Sequence, residues 1–592
     1  MINQSELRES GRIGLIAGVV TLAMCMIGIM ESFNERDIIT DTFTLGQFIL
    51  FTLAILAGYM AVSRQAIDAP AGKLINGLVA GLLSGVPIFL LILLAGAWEN
   101  IREAFINVSK DLLEIITLGN ENAVVGGLLL IVVFGVLGLV GAGFAMISAE
   151  IRSAIMRGLA WSLGVGIMSE IVIGILRGRL SREMMGRLFG SVGLTLGAFI
   201  GLFVLVTVGS FWWNRSGGDQ YAKMRAAMSP SQMRASRYTG NGLIVALLLI
   251  LPSLLGVYLS EIFNNVALYV LMGLGLNIAV GLAGLLDLGY VTNFAIGAYV
   301  MALLTSSSEY GLESPISFWF ALPICVLAGM LAGFVFALPV LKMRGDYLAI
   351  ATLGFGEIIR ILARSDAMKG MIGGAQGILE VPQARIAGAA ASIAGSVLTP
   401  INNILEPWKL GILRVEDGEI VFGTPPQLYY LVLVCCFLML FVLRQLNNSS
   451  TGRRWMAIRE DEDVAAAMGI NTTNAKVIAF TLSAASGGLA GALFAAKLGS
   501  IFPQSFSLII SVNVLSLIIV GGLGSLPGIV VGAFALIGVP ELLREFAEFR
   551  ILLYGIALIA MMLYRPEGLW PSEARRREMR GEDDGPVPQS GD

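Results

Sequence analysis

Apolar runs of about 17 to 25 residues recur along this chain, and each is long enough to cross a hydrocarbon core of about 30 Å at 1.5 Å per residue. Six precede residue 214, at roughly 13–30, 43–62, 74–97, 123–148, 158–176 and 187–213. About ten follow residue 240, near 241–259, 265–286, 288–305, 316–341, 345–363, 427–446, 475–496, 508–524, 528–543 and 549–564. Backbone inside lipid must satisfy its own N–H and C=O groups, so runs of this length read as helices. The expected fold is an all-α polytopic membrane protein with about 16 transmembrane helices. Composition agrees, since 56% of the 592 residues are hydrophobic and 14% charged, against about 25% charged in soluble proteins. The 72 glycines suit helices that pack through small faces.

The runs divide at one place. Asn214 to Gly240 is polar and basic, with Arg215, Lys223, Arg225, Arg234 and Arg237 against Asp219 alone. It separates an N-terminal hydrophobic extension, 1–213, from a second helical domain, 241–571, and a charged tail at 572–592 reads as disordered. The first run follows Arg8 and Arg12, is longer than a signal core, and meets no small-x-small cleavage site, so a retained first helix is expected. Lys and Arg then set orientation. With the N-terminus cytoplasmic, Arg64, Lys73, the basic linker, Lys342, Arg344, Arg453, Arg454 and Arg575 to Arg577 all collect inside, and the C-terminus is also cytoplasmic. The acidic stretches Glu31 to Asp41 and Glu99 to Glu121 fall outside. One loop disagrees, because Arg177, Arg179, Arg182 and Arg187 face out if 158–176 spans. That run also holds Glu170, with no evident partner. Residues 364–426 are too long for a simple connection and carry a short apolar stretch, Ile386 to Leu398, that reads as a surface or re-entrant helix.

Several chemistries are excluded. Histidine is absent, which removes Ser-His-Asp triads, His-based zinc sites and imidazole proton relays. Cys25, Cys325, Cys435 and Cys436 lie in apolar runs without a C-x-x-C spacing, so they read as packing residues. No Gly-x-x-x-x-Gly-Lys-Ser/Thr occurs, so the backbone cradle for ATP phosphates is missing. Ser486-Gly-Gly-Leu489 lies within an expected span and reads as a small-residue packing face. No metal, cofactor or nucleic-acid partner is expected.

The most informative loop runs from Ser450 to Asn471. Ser450 or Thr451 can cap a short helix and Gly469 can end one, with Trp455, Ile458 and Met468 among charges of both signs. It reads either as a solvated connection or as a coupling helix for a cytoplasmic motor subunit. This loop, the following Lys476 to Ala496 and the ending Tyr564-Arg-Pro-Glu-Gly-Leu-Trp-Pro571 resemble the M-type permease subunits of branched-chain amino-acid ABC importers. So do Gly275 to Gly284, Leu288 to Tyr299, Gly345 to Arg360 and Gly373-Gly-Ala-Gln-Gly-Ile378. The resemblance covers about 241–571 and implies a ten-helix ABC importer permease core of the larger importer type. It also implies partners: a homologous H-type permease, two cytoplasmic ABC ATPases and an extracytoplasmic binding protein, with amino-acid substrate and the lipid of the inner membrane.

Trp455, Arg459, Glu460 and Gly469 are the residues expected to serve ATPase coupling. For the substrate pathway the candidates are uncharged polar groups on glycine-rich spans, Asn277, Thr292, Asn293, Ser511 and Asn513. Such groups can contact a zwitterion transiently while apolar surface suits an aliphatic side chain. Glu357 and Arg360, three apart, share a helix face and read as a structural ion pair or a substrate contact. Asp287 reads as structural, at a turn near water, and the glycines around Pro527 as a helix-hairpin turn. Two other readings stay open, a permease for urea or short amides and an ion-coupled carrier working without an ATPase.

Overall fold

A computed structural model describes the chain outside residues 1–3, 66–68, 99–100, 102–104, 177–178, 191–192, 218–228, 341–342, 344–345, 406–418, 543–551, 553–554, 557–558, 560, 562, 564, 566 and 572–592. The expected tail, most of the 549–564 run and part of the basic linker lie outside the described residues. Secondary structure is helical apart from two small two-stranded sheets. Contacts divide the chain into two compact units, Met1–Gly242 and Leu243–Asp592.

The first unit is built on four long helices: α1 (Gln4–Ile27), α2 (Leu45–Ser63), α3 (Pro70–Ala97) and α4 (Ala123–Met146). Their glycines let backbones touch. A Cβ at Gly58 would sit 2.1 Å from the Gly138 carbonyl oxygen, and one at Gly141 2.0 Å from that of Ile55. Around these crossings Leu50, Ile88, Ile92, Leu130 and Phe134 form a core, closed at one end by Leu112 and Ile116 of a short helix, 110–116. Ser109 and Asn122 cap the helices that follow them, as short polar residues do at helix starts.

The expected span at 158–176 falls on two helices, α5 (Ala149–Ile167) and α6 (Ser169–Leu176), which together are apolar enough to span and are bent by 75°. The first ends at Met168, whose N–H turns back to the carbonyls of Gly164 and Gly166. Glu170 lies just after the bend, where its charge acts on Arg36 against the larger lowering that burial imposes on the Arg36 pKa. The same end holds a hairpin, β1 (Asp37–Ile39) with β2 (Phe43–Thr44), bridged to Leu194. Packed on α5 is α7 (Leu196–Trp212), none of whose residues is buried. Gly158 admits the contact, since a Cβ there would strike the Thr207 hydroxyl.

The second unit begins within α8 (Pro230–Asn277), where two expected helices run together. This is not one continuous helix, because it is broken at Gly256, whose φ of 74° and ψ of −172° are not helical. A π turn, 278–282, follows. Then come α9 (Tyr290–Thr305), α10 (Phe318–Val340), α11 (Asp346–Arg364), α12 (Ala389–Leu405) and α13 (Pro425–Asn448). The stretch expected as a surface helix from Ile386 begins instead as a strand, β3 (Arg385–Ala387), paired with β4 (Glu419–Val421), and turns helical at Ala389. Two short helices, α14 (Ser450–Glu460) and α15 (Glu462–Ala467), lead into α16 (Thr472–Leu498). The last are α17 (Leu508–Gly521) and α18 (Leu526–Ala533), which continues through a π turn to Leu542. Between them Gly522 and Gly524 take positive φ and Ser525 caps α18, the helix-hairpin turn expected there.

The centre of this unit is α16, which packs on both α9 and α10. Ser486-Gly-Gly-Leu489 is its contact face, where a Cβ at Gly488 would meet the Cys325 carbonyl at 2.5 Å. Among the described residues ten helices are long and apolar enough to span, or eleven counting the bent α5–α6 pair, fewer than the sixteen expected. Helices 290–305 and 526–542 are shorter apolar segments, and α11 carries Glu357, Arg360 and Arg364 along its length.

Candidate functional site

Polar groups of the second unit concentrate where α9 begins. Its entry is pressed against α11, since a Cβ at Gly289 would lie 2.3 Å from the Thr352 carbonyl oxygen, and Leu288 donates its N–H to the Thr352 hydroxyl at 3.1 Å. In the turn before the helix, buried Asp287 accepts from the Gly289 N–H at 2.9 Å. Burial pushes the Asp287 carboxyl up to about 7, against the smaller lowering effect of that hydrogen bond. Ser511 Oγ accepts the Val291 N–H at 2.9 Å, so it anchors one of the free donors at the start of α9. Tyr290 and Ser486 share a hydroxyl hydrogen bond of 2.8 Å across the α9–α16 contact.

The five pathway candidates thus separate. Thr292 and Asn293 are buried, and among the described residues Thr292 Oγ1 and Asn293 Oδ1 have no partner. Asn277 Oδ1 accepts from the Gly524 N–H at 3.3 Å, tying the end of α8 to the 521–525 turn, while its Nδ2 has no partner among the described residues. Ser511 is committed to the backbone, and Asn513 is half-buried on α17.

Beside Thr292 lies a cavity of about 220 Å³ between α9, α11 and the 503–506 segment. Its wall is apolar except at Thr292, Tyr299 and Arg360. Sequence reasoning passed over Tyr299, seven residues after Thr292 on one helix and therefore on the same face. Arg360 meets Glu357 through two hydrogen bonds, Nε to Oε2 at 3.0 Å and Nη2 to Oε1. A second clamp also escaped notice: Lys497, almost fully buried, pairs with Glu261 at 2.7 Å and binds Asn265, joining α16 to α8.

The loop 450–471 forms two helices, broken at Asp461, whose carboxylate caps α15 by accepting from the N–H groups of Asp463 and Val464. The cap of α14 is Ser449, one residue before the expected position. Trp455 is wholly buried and donates Nε1–H to the Ala475 carbonyl at 2.8 Å, so it fastens the pair to α16. Arg459 Nη1 donates to the Gly281 carbonyl in the π turn at 2.8 Å, and its stem lies against Gly284. Lys476 and Glu462 close the same interface at 2.5 Å. Facing outward are Glu460, 71% exposed, with Val464 at 58% and Met468 at 80%. Met456 and Glu460 share one face of α14, while Val464 and Met468 lie beyond the break at Asp461. Gly469, φ 86°, ends α15 in the left-handed region.

Among the described residues no group of three or more Cys, Asp or Glu could hold a metal ion. The family described as "Branched-chain amino acid transport system / permease component" matches residues 258–564, just over half of the chain. The high-affinity branched-chain amino acid transport system permease protein LivM of Salmonella typhimurium is 40% identical over 313 residues, 52% of this chain and 69% of the relative. The Escherichia coli K12 LivM protein matches to the same extent. The permease protein LivH of E. coli K12 is 23% identical over 320 residues, 53% of this chain and 95% of that one. No solved structure matches.

Proposed function

The chain belongs to the family of branched-chain amino acid transport permeases, and from that premise we propose that it is the M-type membrane subunit of an ATP-driven importer. It is a multi-pass membrane protein that moves branched-chain amino acids. In this reading it sits in the inner membrane with both termini cytoplasmic, paired with an H-type permease. Of the two ABC ATPases in the assembly, one docks on the exposed face of α14 and α15, and an extracytoplasmic binding protein delivers substrate. The observation that carries it is the build of the two-helix segment, with Trp455 and Arg459 turned inward and Glu460, Val464 and Met468 outward. An apolar exposed face suits a partner groove, while the inward residues pass a push from that partner to the π turn at 278–282. Asn277 and Thr292 lie on the substrate path, with Asn293 beside them; Ser511 holds α9 in place. ATP hydrolysis is assigned to the partner ATPases, since no Gly-x-x-x-x-Gly-Lys-Ser/Thr occurs in this sequence.

Reconstitution tests this. Leucine uptake into proteoliposomes is expected only when the permease pair, ATPases, binding protein and ATP are all present. Uptake by this chain alone under an ion gradient would establish the carrier reading instead, and ATP-driven transport of urea without leucine would establish the amide reading.

A further inference from the structure

The cavity beside α9 combines three features that a purely structural void has no reason to share. Its wall is hydrocarbon, including Ile296, Ile359 and Phe506. Two residues of that wall, Thr292 and Tyr299, carry buried hydroxyls that have no hydrogen-bond partner among the described residues. Arg360 lines the cavity and pairs with Glu357, which stands next to the lining residue Gly356, the two charged side chains being 29% and 39% exposed. Arg360 carries five N–H donors and spends two on Glu357, which leaves three, and the carboxylate keeps free lone pairs. The volume, about 220 Å³, lies below the roughly 300–1,000 Å³ of drug-sized pockets and suits a small molecule.

We propose that this cavity is a transient binding site for the zwitterion of a branched-chain amino acid. Arg360 holds the carboxylate, Glu357 the ammonium, and the aliphatic side chain enters the space lined by Ile296, Ile359 and Phe506. The proposal rests on the branched-chain import reading and adds where in this chain the substrate is held. Using one fixed pair of opposite charges for a zwitterion demands both substrate charges at once, so a molecule with only one loses half the recognition. The intramolecular ion pair also returns when the substrate leaves, which keeps the site from holding it too tightly.

The test uses the assembled transporter with Ala363→Cys, a position on the cavity wall. A small thiol reagent modifies this cysteine, with the parent complex as background for the four native ones. Leucine is expected to slow modification, whereas isopentylamine, lacking the carboxylate, and 4-methylpentanoate, lacking the ammonium, are not. Adding Arg360→Gln is expected to abolish protection and to lower leucine uptake about tenfold or more, the loss of a hydrogen bond to a charged group. Arg360→Lys, which keeps the charge without the fork, is expected to fall between. Absence of leucine protection, equal protection by the single-charge analogues, or an Arg360→Gln complex with unchanged uptake would each overturn the site. Parent uptake is measured alongside. If the parent complex moves no leucine with ATP, the import reading itself fails, whereas parent uptake without leucine protection fails this site alone.

Discussion

The four central helices of the first unit and the helices of the second both pack through glycine, but they differ in where glycine also breaks a helix. In the first, Gly58, Gly138 and Gly141 sit within unbroken helices of membrane length and bring backbones into contact, so the bundle resists sliding. In the second, Gly297 and Gly488 pack helices in the same way, but Gly256, Gly281, Gly284, Gly522 and Gly524 stand at helix breaks, and polar atoms of Asn277, Thr292 and Asn293 that have no partner among the described residues lie at or next to those breaks. Continuous close packing makes a scaffold. Breaks in helices, short π turns and incompletely satisfied polar groups are where a membrane protein changes shape. This difference is the basis for expecting movement in the second unit and support in the first.

That assignment can be broken. The largest effect is expected from Trp455→Ala, because removing a wholly buried indole costs about 3–5 kcal/mol; hydrogen exchange across 450–470 should rise and transport should cease. Rapid exchange confined to other segments would show that the indole does not hold the pair. Next comes Gly138→Leu, at a crossing where backbone atoms leave no room for a Cβ. Overpacking of this kind costs about 1–3 kcal/mol, and thermal denaturation should fall while leucine uptake per assembled complex stays near the parent value. A large loss of uptake by intact complexes would mean that the first unit moves during transport. Arg459→Ala removes a charged hydrogen bond, about 1.5–3 kcal/mol, from the link to Gly281. ATP hydrolysis should continue with uptake reduced about tenfold, and a parallel fall of both would reduce Arg459 to a packing role.

The smallest effect concerns pH. Asp287, pushed up to about 7, binds its proton more tightly in the folded protein than in the unfolded chain, so its contribution favours folding below about 4 and is lost as pH rises through 7. Asp287→Asn carries no charge at any pH. The variant should melt close to the parent at pH 4 and above it at pH 8, and an identical difference at both would remove titration of this group from the account.

Much of the second unit was legible in sequence because its elements are local. Apolar runs and caps placed most helices to within a few residues, and Gly345 to Arg360 carried its own family resemblance. What escaped depends on partners far along the chain. Arg459 and Gly281 are 178 residues apart, so nothing near either one announces their hydrogen bond. Trp455 in a charged loop looked like a surface anchor, yet its Nε1–H finds a carbonyl twenty residues on and its ring goes inside. The bend after Ile167 was hidden because hydropathy continues through Met168 to Leu176 while the helix does not. Thr292 and Asn293 were found by residue type alone, but the cavity beside Thr292 needed α11 and the 503–506 segment to be brought together in space.

The division of labour between the units is tested most directly by deleting residues 1–229, up to the start of α8, and measuring ATP-dependent leucine uptake per assembled complex. The account predicts uptake per complex close to that of the full chain, even where fewer complexes assemble. Complexes that assemble fully and hydrolyse ATP but move no leucine would contradict it, placing part of the transport machinery in the first unit.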